Sequence, residues 1–286
     1  MEQSWFSAIC ELSKARLSGL VLLTTLAGFY LGSSSPASFG LMFHALGGTA
    51  LLAIGAAALN QLLERDLDAR MNRTENRPLP SGRIQPDTAL FFGGICSATG
   101  LLWLALQVNL LTSLLGAATL ASYLFVYTPL KRKTTLNTVI GAIPGALPPL
   151  MGWTAATGEI GVGGWSLFAI LFFWQLPHFL AIAWMYRDDY ARAGFVMLPV
   201  VDPDGGRTGR SSVSHTLGLL PISLFPFVLG ISGKLYAVGA ILMGFGFLIF
   251  AIRFSRSLTR ASARNLFFAS IIYLPLLLGL MAFDKR

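Results

Sequence analysis

The chain has 286 residues, of which 54% are hydrophobic and only 12% charged, with a net charge of +8. Together with a strongly positive mean hydropathy, this excludes an ordinary water-soluble domain and points to an all-α, polytopic membrane protein. The basic excess suits anionic lipid and phosphate, so no nucleic-acid partner is needed to explain it.

A spanning helix needs roughly 20 largely apolar residues. Nine such segments are predicted, at 15–32, 41–63, 88–107, 109–128, 136–156, 165–186, 212–231, 235–253 and 266–283. No linker divides them, so the expectation is a nine-transmembrane-helix bundle forming one domain over 1–286. With the N-terminus inside, every lysine and arginine except Lys234, Lys285 and Arg286 falls in a cytoplasmic segment, from Lys14 and Arg16 onward. That asymmetry predicts an N-in, C-out topology. The first span ends in Ser33, Ser34, Ser35, Pro36 and Ala37, a run like a signal-peptide cleavage region. Glu2 and Glu11 before the span, and a second span after it, argue against cleavage. Cys10 and Cys96 would lie on different levels of the membrane, and no disulfide is expected.

The second span ends on Asn60, Glu64 and Asp68 and runs into Arg70, Arg73, Arg77 and Arg83. Residues spaced by four drift only about 40° per step on a helix, so an amide and two carboxylates would face one way. Oxygen donors flanked by arginines suit a hard divalent cation carrying a phosphorylated ligand, because Mg²⁺ commonly takes one or two carboxylates plus phosphate oxygens. A solvated juxtamembrane charge cluster is the plainer reading of this motif taken alone. A second acidic cluster, Tyr186, Arg187, Asp188, Asp189 and Tyr190, ends the sixth span on the same predicted face.

Between the two clusters, Tyr127 precedes Lys131, Arg132 and Lys133. Pro129 disfavours a helical Thr128, so Tyr127 and Lys131 need not share a helical face. Lys131 and Arg132 would neutralise charge on a departing phosphate, or serve only to orient the chain. The fifth span carries Gly141, Pro144, Gly145, Pro148 and Pro149, which are predicted to interrupt it beside a cavity. The sixth span holds Gln175 and His178 among Phe172, Phe173, Trp174, Phe179 and Trp184. Intramembrane ionisable groups default to a functional hypothesis. His178 would ligate iron, donate to a carboxylate of a ligand, or bond within the bundle; His44 and His215, near span ends, read as structural.

The ordered strings ENRPLPSG (75–82), YTPLKRK (127–133), NTVIGAIPGALPPLMGW (137–153) and WQLPHF (174–179), with the acidic motif at 60–68, resemble the UbiA superfamily of intramembrane prenyltransferases. Within it they are most similar to the haem-directed branch. Glu64 departs from the aspartate usual in the family motif, and Tyr186 stands where other branches place an aspartate. The resemblance implies Mg²⁺, with Mn²⁺ left open, held by Asn60, Glu64, Asp68, Asp188 and Asp189. It implies that these five act in catalysis with Lys131, and that Arg77, Tyr127, Arg132, His178, Tyr186 and Arg187 bind substrate. The implied reaction joins the farnesyl group of farnesyl diphosphate to a vinyl group of protohaem IX (haem B), a substrate and not a prosthetic group. It yields haem O and diphosphate for haem-copper terminal oxidases. A multi-pass protein of the bacterial inner membrane follows, with its site on the cytoplasmic side and a downstream haem A synthase or oxidase assembly factors as further partners. Three rivals remain: a prenyltransferase for an aromatic quinone precursor, a transporter of a phosphorylated metabolite, and a non-catalytic assembly factor.

Overall fold

Backbone groups in hydrocarbon must bond within their own segment, which leaves helices as the way to build a chain with long uninterrupted apolar runs. The computed structural model describes residues 5–33 and 38–286, with the side chains of Phe6 and Arg16 left aside. Glu2, Ser34 to Ala37 and the Arg16 side chain, which figured in the expectations above, lie outside the described residues. The chain forms α1 (Trp5–Leu12), α2 (Ala15–Gly32), α3 (Phe39–Leu63), α4 (Pro86–Gln107) and α5 (Leu110–Leu130), followed by α6 (Asn137–Thr157), α7 (Val162–Met185), α8 (Gly206–Ile222), α9 (Lys234–Ser257) and α10 (Arg260–Phe283). No strand occurs among the described residues, only an isolated bridge between Ser232 and Lys285. Among the described residues eight helices are long and apolar enough to cross a membrane, α8 doing so with its extension to Val228; α2 offers the shorter apolar run Leu17–Gly32.

Two helices form the centre. Within their apolar windows α6 is 61% buried and α7 is 56% buried, whereas no other long helix exceeds 39%. Around this pair, α2 and α5 lie against α6, while α8 and α10 lie against α7. The contact of α2 with α6 is backbone to backbone: a Cβ on Gly28 would sit 2.0 Å from Pro149 O, and one on Gly152 would sit 1.9 Å from Thr25 O. Small residues allow this approach where lipid offers no hydrophobic drive for association.

The predicted interruption of the fifth span is not seen. Pro144, Pro148 and Pro149 all lie inside a continuous, buried α6. Tight packing on both sides holds the helix together despite the missing donors, and Gln175 Nε2 donates to Ala142 O across the α6–α7 contact at 2.8 Å. The N-terminal α1, which no hydrophobic pattern announced, packs Ala8 and Leu12 against Ala58 of α3, Leu79 and Ile84 of the following loop, and Ala89 of α4. At the opposite end of the bundle, Lys285 Nζ donates to Ser33 O at 2.6 Å and Gly233 N donates to Asp284 O at 2.8 Å, joining the chain's end to the α2 and α9 termini.

Candidate functional site

The first acidic corner forms where α3 runs out. Glu64 has left helical geometry (φ −99°, ψ 5°) and caps α3, after which Arg65–Asp68 makes one further turn. Asp68 N still donates to Glu64 O at 2.7 Å, so the spacing of four survives the break. Asn60, Glu64 and Asp68 are all buried, at 1%, 4% and 1% exposure.

Cations from three other segments close on these side chains. Lys131 Nζ donates to Glu64 Oε1 at 2.7 Å, and Arg77 Nη1 to Asp68 Oδ2 at 2.6 Å. Lys14 Nζ reaches Asn60 Oδ1 at 3.4 Å, while Asn60 Nδ2 donates to Thr128 Oγ1 at 3.1 Å. Lys14 lies in the left-handed region (φ 45°) at the α1–α2 junction, a conformation a non-glycine residue rarely adopts and one often held at functional sites. Burial chiefly, then the neighbouring Arg77 guanidinium, push its ammonium down to about 7 against the pull of Glu64. Burial also works against Lys131, but the Tyr127 and Glu64 oxygens outweigh it and hold that ammonium above its ordinary range.

Lys131 lies 4.6 Å from the centre of the Tyr127 ring, so the two do share a face, and the expectation that Pro129 keeps Thr128 out of helical geometry is corrected. Residues Ser122–Tyr127 form a π-helical turn, and Thr128 is helical at φ −57° and ψ −48°. The wider turn relieves the proline's clash with the preceding carbonyl, and Thr128 Oγ1 donates to Tyr123 O at 2.9 Å. A Cβ on Gly141 would come within 2.4 Å of the Tyr127 ring, so glycine there makes room for it. The loop bearing Lys131 is pinned in turn by Val196 N to Lys131 O at 2.7 Å and by Asn137 Nδ2 to Val196 O at 2.9 Å.

The second acidic corner meets the first through a buried cluster of Met71, Ala183, Ala193, Phe195 and Met197, with Leu67 and Tyr190 against it. Arg73 bridges them, its guanidinium 5.2 Å from the Tyr186 ring and 5.8 Å from that of Tyr190. Asp189 is 13% exposed at its side chain and paired with Arg192. Asp188 is not brought to the site: its side chain is 91% exposed and only loosely faces Arg187 at 3.9 Å. Consecutive helical residues point about 100° apart; here 186, 189, 190 and 193 turn inward while 188, 191 and 192 turn out. Arg187 stacks on Trp184 at 4.6 Å, and Arg132 is exposed; among the described residues neither pairs with Asn60, Glu64 or Asp68.

Five ligands therefore do not converge, and among the described residues no three His, Cys, Asp or Glu side chains form a ready metal cage. The donors nonetheless fit a hard cation. Asp68 Oδ1 is buried with no hydrogen-bond partner, a costly state that an oxygen-seeking ion sharing its shell with phosphate would relieve. Lys14, Arg73, Thr128 and Tyr123 are the neighbours that motif reading did not place here. Lys14 and Arg73 were visible only as charge, and nothing in their spacing foretells the contacts.

His178 sits apart, on the face of α7 that meets α10. Its ring stacks between Trp174 (centroids 5.1 Å apart) and Phe267 (5.0 Å), and Nδ1 lies 2.7 Å from Ser270 Oγ. Ser270 Oγ donates its one proton to Phe267 O at 2.6 Å. It can then only accept from His178, which puts the imidazole proton on Nδ1 and leaves a lone pair on Nε2.

Residues 21–272 match the UbiA prenyltransferase family. The chain is 50% identical over 285 residues to a Solibacter usitatus protein named protoheme IX farnesyltransferase, covering 96% of this chain and 97% of that one. In fold it is similar to a digeranylgeranylglyceryl phosphate synthase, with a TM-score of 0.82 at 14% identity over 99% of each chain. A UbiA homologue from Archaeoglobus fulgidus, solved with GPP and Mg²⁺, aligns with a TM-score of 0.66 at 15% identity over 96% of this chain and 99% of that one.

Proposed function

This chain belongs to the UbiA prenyltransferase family, and on that premise we propose that it transfers the farnesyl group of farnesyl diphosphate to a vinyl group of protohaem IX, giving haem O and diphosphate. The observation that carries the proposal is the buried corner of Asn60, Glu64 and Asp68 ringed by Lys14, Arg77 and Lys131. Support for the haem acceptor comes from the extended identity with a protein of that name and from the long strings around residues 127–153 and 174–179.

Asn60, Glu64 and Asp68 would hold Mg²⁺, or Mn²⁺ in its place, with Asp189 serving the opposite side of the diphosphate. The bound ion supplies charge neutralisation at the departing diphosphate. Lys131 and Arg77 form charge-assisted bonds with carboxylates and stand ready to exchange them for phosphate oxygens. Arg73 adds positive charge beside the second corner, and Lys14, its ammonium pushed down to about 7 by burial and Arg77, gains charge when an anion binds beside it. As the C–O bond to diphosphate breaks, these cations take up the charge leaving with it, and the faces of Tyr123 and Tyr127, stacked 5.8 Å apart, favour the allylic cation. The vinyl π electrons then form the new C–C bond, and water adds hydroxide to the resulting macrocycle-stabilised cation while its proton leaves to solvent. With Nδ1 held by Ser270, His178 would offer Nε2 to the iron of the haem substrate.

The reading includes nine membrane crossings with α2 as the first, the N-terminus inside, and the acidic corners facing the cytoplasm of a bacterial inner membrane. A haem A synthase or an oxidase assembly factor would take the product. Expression in cells lacking their own haem-modifying enzyme tests the function: farnesylated, hydroxylated haem should accumulate, and unmodified protohaem alone would reject the proposal.

A further inference from the structure

Arg253, Arg256, Arg260 and Arg264 crowd the turn between α9 and α10, yet the sequence holds no aspartate or glutamate between Asp204 and Asp284. None of the four has an acidic partner among the described residues. Arg260 moreover sits in the first turn of α10, where the helix dipole disfavours positive charge. A topological role explains which side of the membrane these arginines occupy. It does not explain what they lie over.

Beneath them a groove runs along the outer wall of the bundle. Two open cavities of about 390 and 420 Å³ lie side by side along α9 and α10, with Phe250 and Asn265 lining both. Both cavities have mainly apolar walls; one carries the Arg253, Arg256 and Asn265 side chains at its rim, and the other runs along Phe268, Ile272 and Leu276. These last three are 46%, 60% and 56% exposed on the face turned to lipid. Arg253 lies 5.9 Å from the centre of the Phe250 ring and Arg264 5.4 Å from that of Phe268, so the charges are drawn over the groove's own aromatic lining. The floor is open at Gly246, where an added Cβ would meet nothing within 4 Å.

We propose that this groove binds one anionic phospholipid, its phosphate between Arg253, Arg256 and Asn265 and one acyl chain along Phe250, Phe268 and Ile272. Charge complementarity selects the headgroup: an anionic lipid supplies the negative charge that the surrounding sequence lacks. The groove includes no carboxylate to hold a divalent ion, which disfavours a metal-bound diphosphate and suits a phosphodiester. It shares no residue with the acidic site and takes its ligand sideways from the bilayer.

Native mass spectrometry of the full chain in detergent, titrated with phosphatidylglycerol or phosphatidylcholine, tests this. Phosphatidylglycerol should be retained as a single adduct and phosphatidylcholine released. A basic side chain beside an anionic lipid is worth about fivefold in binding, so Arg253→Gln with Arg256→Gln should weaken retention roughly 30-fold. Gly246→Leu, which fills the groove from open space, should weaken it at least about tenfold. Gly279→Leu, which also meets nothing within 4 Å but does not line the groove, should bind as the parent does. Equal retention of both lipids, unchanged binding in the arginine variant or in Gly246→Leu, or displacement of phosphatidylglycerol by an equal concentration of farnesyl diphosphate, would overturn the proposal. The head and tail variants report independently, so either one decides if the other yields no protein.

Discussion

Replacing Asp68 by asparagine separates chemistry from folding at the first acidic corner. The side chain is 1% exposed, with Oδ2 held by Arg77 at 2.6 Å and Oδ1 without a partner. Asparagine keeps the volume and one oxygen for Arg77, so a charge-assisted bond becomes a bond to a neutral acceptor, at a cost of about 1–2 kcal/mol. Alanine would strand the guanidinium, and removing one partner of a buried pair costs about 3–5 kcal/mol; Arg77 retains 24% side-chain exposure, which places the alanine cost at or below the bottom of that range. Turnover should respond far more strongly. Losing one preorganised group at a site of developing charge typically costs about 10²–10³ in kcat. Asp188→Asn is the companion, because that side chain faces solvent; its activity should stay within about twofold and its stability unchanged. Purified variants would be assayed for haem product by mass at saturating farnesyl diphosphate, with thermal stability measured on the same preparations. Asp68→Asn activity within tenfold of the parent, or an equal loss in Asp188→Asn, would refute this geometry.

Lys131→Gln should raise KM for farnesyl diphosphate at least about tenfold and destabilise the protein, since Glu64 is left buried without its cation; adding Glu64→Gln should recover stability but not activity, and recovery of both would contradict the assignment. Gly28→Ala places a methyl group 2.0 Å from Pro149 O, forcing α2 from α6 at about 2–3 kcal/mol; parental thermal stability would show that the contact is looser than described. His178→Phe keeps the aromatic stack but removes Nε2, so KM for haem should rise while Mg²⁺-dependent binding of farnesyl diphosphate, read by calorimetry, is unchanged. Unaltered haem kinetics would remove His178 from the acceptor site.

Hydropathy revealed the long helices because lipid leaves the backbone few alternatives, and the predicted segments lie within a few residues of the observed helices over most of the chain. Asn60, Glu64 and Asp68 were legible for the same kind of reason: a spacing of four survives the helix end through the bond from Asp68 N to Glu64 O. What failed was local rules overridden by packing. Prolines 144, 148 and 149 promised a break but sit in a continuous, buried helix wedged between neighbours, and Pro129 was absorbed by a π turn. Lys14 could not be found from spacing, because its place depends on a left-handed junction and on α1, a helix too short to register in hydropathy. Asp188 was carried over with Asp189 from the family resemblance, although neighbours on a helix face different ways.

If the two acidic corners form one metal-dependent site for a prenyl diphosphate with haem as acceptor, product formation must require a divalent ion. The direct measurement incubates the purified chain with farnesyl diphosphate and protohaem IX, with Mg²⁺ or with a chelator, and resolves the haem products by mass. With Mg²⁺ the haem should gain one farnesyl group and one hydroxyl, and with chelator it should remain unchanged. Product formation without any divalent ion, or none in its presence from a folded preparation, would rule out such a site.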